Sequence, residues 1–286
     1  MVFLRRLKPY LFLLPALFFA CAFVYYPFGR TFLYSFSRVN FRGDITGFTG
    51  LRNFSRLFSD PVFARALANT LTLTLIFVPF NLVFSFFLAL IACKKRKSGM
   101  IYEPLFMLPM GVSMAAASQI FKMLLDPSVG LLHHFLKLET GLFLAPRTAL
   151  YGIVTVCFWI GFPFDFLLFL SALRNIPSQI MEAAALDGAG FFWRLFRIRI
   201  PLVVPTVFYV VCTNAVLAMM TSTPVMIITG GQPEYATETL IFMMYTSGYQ
   251  SSNYSIAACI SMVTFALSFA LILLAMVFER KGVHYQ

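Results

Sequence analysis

An all-helical protein crossing a membrane six times is what this sequence predicts, and three observations predict it. The chain is 60% hydrophobic and 12% charged, with a mean hydropathy of +0.83, outside the range of soluble globular domains. Its apolar residues gather into runs at about 10–36, 69–93, 101–124, 150–173, 202–228 and 255–278, each long enough to cross the hydrocarbon core as a helix. Its basic residues fall in short clusters between those runs, where Lys and Arg orient a protein in the bilayer. The formal net charge of +11 therefore points to lipid and not to nucleic acid.

The first run follows Arg5, Arg6 and Lys8 and could be mistaken for a signal peptide. A cleaved signal ends in small residues, whereas this run continues through Phe23-Val24-Tyr25-Tyr26 to Phe36. Cys21 follows Phe18-Phe19-Ala20, too bulky for a lipoprotein cleavage site, so a retained first span is expected. The loop at about 37–68 contains Leu51-Arg52-Asn53-Phe54-Ser55-Arg56-Leu57-Phe58 and then Asp60-Pro61, which reads as a short amphipathic helix, a turn and entry to the second span. Such a helix fits the headgroup layer, its arginines meeting lipid phosphate.

The third run carries Pro104 near its start and Pro109 within it, which predicts a kink. It ends in Leu125-Asp126-Pro127-Ser128-Val129-Gly130, a turn by composition. His133 and His134 follow without other metal-type ligands and read as surface histidines. The fourth run holds Asp165, an ionisable residue well inside an apolar segment, where a charge costs roughly 2.5–3.5 kcal/mol on insertion scales. Asp165 must face a cavity or a partner helix. At helical spacing its face contains Phe158, Gly161, Phe162, Leu168, Phe169 and Ala172, a lining suited to a sugar and equally to a packing interface. Asn214 and Thr221, seven apart in the fifth run, share a face and are further cavity candidates; small and polar residues there also fasten helices together.

Six spans place both termini on one side. Arg5, Arg6 and Lys8, then Lys94-Lys95-Arg96-Lys97, then Arg174, Arg194, Arg197 and Arg199, then Arg280 and Lys281 all fall on one face, assigned as cytoplasmic. The loop 230–254 has no Lys or Arg, as an outer loop should. The first outer loop disagrees, with Arg38, Arg42, Arg52, Arg56 and Arg65.

The sequence contains no G-x-x-x-x-G-K-[ST] stretch and therefore no P-loop of its own. No nucleophile–base pairing and no metal-ligand spacing stands out. Cysteines 21, 93, 157, 212 and 259 are scattered among the apolar runs and form neither a disulfide framework nor a metal motif. A membrane-embedded enzyme would need a catalytic polar cluster, which is missing. A channel or secondary transporter would carry ionisable groups along a pathway, for which one Asp is thin support.

The stretch between the fourth and fifth runs organises the rest. Ile176-Pro177-Ser178-Gln179-Ile180-Met181-Glu182-Ala183-Ala184-Ala185-Leu186-Asp187-Gly188 carries too much charge for hydrocarbon and must face water. Ser178 is a natural N-cap, the alanines favour helix, and Gly188 can take the positive φ that ends one. Phe191, Phe192, Leu195 and Phe196, interleaved with Arg194 and Arg197, read as a second short helix, and Pro201 and Pro205 lead into the fifth run. Glu182-Ala183-Ala184, three residues, Gly188, nine residues, then Ile198-Arg199-Ile200-Pro201 resembles the EAA loop of importer-type ABC permeases, with Ile200 where Leu is usual.

Two further patches, Asn53 to Thr70 and Gly230-Gly231…Thr237-Glu238-Thr239-Leu240…Tyr245…Gly248-Tyr249, resemble the carbohydrate-uptake permeases of the maltose and glycerol-3-phosphate type. The resemblance implies a type I ABC importer permease fold, with 1–286 as a single transmembrane domain in the cytoplasmic (inner) membrane of a prokaryote. It implies two ATP-binding cassette subunits that bind ATP and Mg, a second and usually different permease chain, and an extracytoplasmic solute-binding protein, which the 37–68 loop could help to receive. By the same resemblance the loop at about 174–201 couples to the ATPase through Glu182, Ala183, Ala184, Asp187 and Gly188. The substrate pathway is assigned to Asp165, Asn214 and Thr221. No Lys or Arg lies deep in a run, which favours a neutral sugar or oligosaccharide over glycerol phosphate or another acidic solute.

Overall fold

Backbone groups in hydrocarbon must find partners within their own segment, and this chain solves that with helices. The computed structural model describes residues 12–94, 99–137 and 141–282. Arg5, Arg6, Lys8, the start of the first run at Tyr10, and Lys95-Arg96-Lys97 lie outside the described residues, as do the side chains of Arg280 and Lys281. Among the described residues five helices are long and apolar enough to cross a membrane, or six if a bent pair is counted as one span.

The described parts of the chain form two compact units. The first comprises Met1–Pro61 with Met243–Thr264. In it α1 (Phe12–Ser35) contains a π turn at Cys21–Tyr25 and leads into a hairpin of β1 (Ser37–Val39) and β2 (Ile45–Phe48), antiparallel with a bulge at Arg38/Val39. Helix α2 (Arg52–Phe58) follows, as the sequence led us to expect; the hairpin was not expected. Its register is held from far along the chain: Ser255 Oγ donates to the Ser37 carbonyl at 2.8 Å and accepts from Val39 N at 3.0 Å. Asn53 Nδ2 bridges the Ser35 and Ser37 carbonyls, both at 3.0 Å.

The second unit holds Val62–Phe242 with Phe265–Gln286. Helix α3 (Pro61–Ala92) begins eight residues before the expected span, because Pro61 suits a first turn. The third run is broken, not kinked: α4 (Gly99–Met107), a 3-10 turn (Leu108–Gly111) and α5 (Met114–Leu124) form a pair bent by 100°. Pro109 opens the turn, and Ser113 caps the new helix by accepting from Ala116 N at 3.2 Å. Short α6 (Leu131–Phe135) buries His133, against the surface position expected of it, while His134 Nδ1 bonds the Gly130 carbonyl.

Helix α7 (Ala149–Arg174) matches the fourth run to one residue at each end. Helix α8 (Ser178–Leu186) follows, and then α9 (Phe191–Met219) runs unbroken through a π turn at Leu195–Arg199. The second short helix expected at Phe191 is thus the root of the fifth span. Pro201 stands just past the π turn, where the altered hydrogen-bond ladder accommodates its missing N–H within the continuous helix. This helix ends at Met219, so Thr221 and Ile228, placed in the span by hydropathy, lie beyond it; a π turn at Val225–Thr229 follows. Helix α10 (Leu240–Tyr245) continues as a π turn to Gln250, and α11 (Tyr254–Gly282) is the last of the described elements.

Where α3, α7 and α9 meet, Ala89, Ala92, Phe166, Phe169, Leu170, Leu173, Val203 and Val210 form a buried cluster. Small residues on α3 let the phenylalanines of α7 fill the space, and Phe169 packs edge-on against Phe86 with ring centroids 5.5 Å apart. Phe169→Ala is expected to cost about 3–5 kcal/mol by leaving a cavity, read as a lower unfolding midpoint of the detergent-purified protein.

Candidate functional site

Asp165 lies on α7 and is 1% exposed. Its Oδ2 accepts from Asn81 Nδ2 of α3 and from Asn214 Nδ2 of α9, each at 2.5 Å. Hydropathy flagged the carboxylate but not Asn81, although an amide in an apolar run is itself a signal of a buried polar contact. Close approach of α3 depends on Gly161: a Cβ there would lie 3.0 Å from Phe77 Cζ and 3.4 Å from Asn81 Nδ2.

Beside this junction is a cavity of about 380 Å³, within the range of small-molecule sites. Its wall includes Asp165, Asn214, Thr221, Ser222 and Thr223 as polar groups, with Phe77, Met114, Gly161 and Phe164 as apolar ones. The structure therefore brings all three pathway candidates to one cavity. The aromatic face expected of Asp165 is not its lining: of that set only Gly161 takes part, because Phe162 and Phe169 turn into the protein interior. Thr221 reaches the cavity from the break after α9, not from a shared helical face.

The segment after that break is fixed by α3. Asn69 Nδ2 donates to the Tyr235 and Glu238 carbonyls, both at 2.9 Å, and Arg65 Nη1 to the Glu234 carbonyl at 2.5 Å. Thr70 Oγ1 accepts from Leu240 N at 3.0 Å, and Thr239 Oγ1 donates to the Thr221 carbonyl at 2.9 Å. Gly231, at φ +83°, stands against the Glu238 carboxyl, and any Cβ there would collide with Oε2. Glu238 is buried, and burial pushes its carboxyl up to about 7 from the ordinary 4.5.

The third feature is the elbow at 174–201. Pro177, not Ser178, occupies the N-cap of α8: its backbone is extended (φ −57°, ψ 132°) and its carbonyl accepts from Ile180 N, which leaves Ser178 as the first helical residue. The helix closes as its sequence suggested, with Gly188 at φ +74° and Ala189 N bonding the Ala184 carbonyl at 2.9 Å. Glu182, Ala183, Asp187 and Gly188 are exposed, whereas Ala184 is buried. Leu186, passed over in the sequence, is 89% exposed and gives α8 an uncovered apolar tip.

A polytopic helical protein with a mainly apolar cavity that carries a few polar groups, and with an exposed helical elbow between two spans, has the features of a membrane transport component. The chain belongs to the family of binding-protein-dependent transport system inner membrane components, whose model matches residues 81–281. It is 33% identical over 282 residues to the sn-glycerol-3-phosphate transport system permease protein UgpA of Yersinia pestis, covering 97% of this chain and 96% of the relative. It is 32% identical to UgpA of Salmonella typhi, covering 100% of this chain and 98% of the relative. Its fold matches a chain in the crystal structure of a bacterial ABC transporter involved in the import of the acidic polysaccharide alginate, with a TM-score of 0.85, 22% identity and coverage of 98% and 99%. The expected importer-permease fold and family are thus established.

Burial of Glu238 has a consequence for stability. With its folded value raised, the stability it contributes is full below about pH 4.5 and is lost as pH rises through about 7. Glu238→Gln is expected to raise the melting temperature of the purified protein by about 2–4 °C above pH 7 and to leave it unchanged near pH 4.5. A thermal scan at several pH values reads the difference.

Proposed function

We propose that this chain is one of two permease subunits of an ATP-driven importer that carries a carbohydrate across the cytoplasmic membrane. The observation that carries this reading is α8, a short exposed helix closed at Gly188 and placed between two spans of a binding-protein-dependent permease. Two ATP-binding cassette subunits, holding ATP and Mg, supply the work from the cytoplasmic side. A solute-binding protein delivers the substrate from outside, and a second, different permease chain completes the pathway. Both termini of this chain lie in the cytoplasm.

In this mechanism α8 lies in a groove on the ATPase, a helix-in-groove contact. Exposed Ala183 allows close approach, Ala184 is buried within this chain and acts only as the small residue beneath that surface, Glu182 supplies a charged hydrogen bond, and Asp187 and Gly188 set the direction of the chain leaving the contact. When ATP draws the two ATPases together, α8 moves with them and biases the helices between inward- and outward-open states.

Substrate passes the cavity at Asp165, Asn214 and Thr221. Hydroxyls along its polar wall and the rings of Phe77 and Phe164 suit a polyhydroxylated molecule with an apolar ring face. No Lys or Arg is among the described lining residues, and a carboxylate is, which disfavours an anion. Lys122 lies near the end of α5 but spends its ammonium on the Ile227 carbonyl at 2.9 Å. This favours a neutral sugar over the sn-glycerol-3-phosphate named for the relatives.

Two measurements test the reading. Tagged protein taken from its native membrane should bring a P-loop ATPase with it, and Glu182→Lys should leave ATP hydrolysis running while uptake falls at least about tenfold, the loss of one charged contact of about 1.5–3 kcal/mol. Normal uptake by that variant removes Glu182 from the coupling role. For substrate class, the cognate binding protein should gain melting temperature with neutral sugars and not with glycerol phosphate; the reverse result makes the phosphorylated solute the substrate.

A further inference from the structure

Arg174 ends α7 with three residues between it and the start of α8, and its guanidinium bonds to other helices. Nη1 donates to Glu103 Oε2 at 3.0 Å and Nη2 to Glu103 Oε1 at 2.5 Å, while Nη2 also donates to the Ala92 carbonyl at 3.1 Å. Glu103 belongs to α4, and Ala92 is the last residue of α3. The paired side chains keep only 26% and 20% of their exposure. Exposed ion pairs hold little, because solvent screens them and two long side chains must be ordered. This one is sheltered and two-pronged, a geometry that arginine offers and lysine does not. The carbonyl it also binds is one of those a helix end leaves without a partner, and a cation there meets the negative pole of the helix.

The surroundings give the contact a direction. Below it lies the apolar cluster of α3, α7 and α9, against which Tyr102 and Phe106 of α4 also pack. Between Arg174 and α8 the chain has little slack, since Asn175 N is bonded to the Ser171 carbonyl at 3.0 Å and Pro177 is fixed at φ −57°. Beyond Glu103, α4 passes through the 3-10 turn to Met114, the first residue of α5 and part of the cavity wall.

We infer that Glu103 and Arg174 are positioning residues forming a permanent joint, through which displacement of α8 becomes displacement of α4 and so of the cavity wall at Met114. The inference rests on the coupling role proposed for α8. Deletion of the joint should uncouple the transporter without unfolding it, because the apolar cluster remains.

The test uses the whole transporter, both permeases with the ATPase, reconstituted in proteoliposomes with its binding protein, and reads ATP hydrolysed per solute imported. Glu103→Gln removes a charge at constant shape, and Arg174→Lys keeps the charge but removes the fork. Each should raise the ratio about tenfold, with complex recovered in normal yield. The exchange Glu103→Arg with Arg174→Glu re-forms the pair and should return the ratio to within about threefold of the parent. A normal ratio in both single variants, or an exchange no better than either, overturns the joint. Glu182→Lys is assayed alongside: if it raises the ratio and Glu103→Gln does not, the joint alone fails, and if it leaves the ratio unchanged, the coupling role of α8 fails and the joint falls with it.

Discussion

A carboxylate placed among hydrocarbon must be given hydrogen-bond donors, and Asp165 receives them from two other helices. One oxygen accepts from both Asn81 and Asn214, so α3, α7 and α9 meet at a single atom. Hydrogen bonds between membrane helices average only about 0.6 kcal/mol, with the best near 1.7, but those to a charged group run at about 1.5–3. The stronger value matters here because the alternative, an unpaired charge between helices, is far costlier. None of the three helices can turn or slide without giving up a donor, and the rest follows: Gly161 must stay bare, Phe77 comes close, and the cavity opens beside the junction.

Much of this was legible in the sequence where the signal is local. The fourth span is recovered within one residue because its apolar run stops sharply at both ends and Pro163 inside it does not break the helix, and Gly188 was identified because only its backbone freedom suits the close of α8. Asp165, Asn214 and Thr221 stood out as polar groups in apolar surroundings. Asn81, an amide in an apolar run just as Asn214 is, was passed over, and its role shows only where α3 packs against α7. Prolines 104 and 109 signalled a disturbed third span, yet its severity depends on Ser113 starting a new helix in another direction. Arg194 and Arg197, with the phenylalanines between them, read as a separate short helix because charge counts cannot tell a loop from the overhang of a long span.

Other features rest on contacts between residues far apart in the chain, which no window of sequence contains. The hairpin of β1 and β2 is too short to announce itself, and its first strand is held by Ser255. The segment from Glu234 to Leu240 is pinned by Arg65, Asn69 and Thr70, which lie along one side of α3. His133 read as a surface histidine because no other metal-type ligand stands near it, and it is buried by the packing of a five-residue helix.

The continuity of α9 has a geometric result. Its 29 residues give a contour of about 44 Å at 1.5 Å per residue, against an oily layer of about 30 Å. Roughly a third of the helix must stand clear of the lipid tails, and the end that carries Arg194, Arg197 and Arg199 is the one suited to water. The fifth crossing is thus longer than the oily layer requires, and between its Arg-bearing end and Met219 lie the π turn at Leu195–Arg199 and Pro201 and Pro205, the places where such a helix bends.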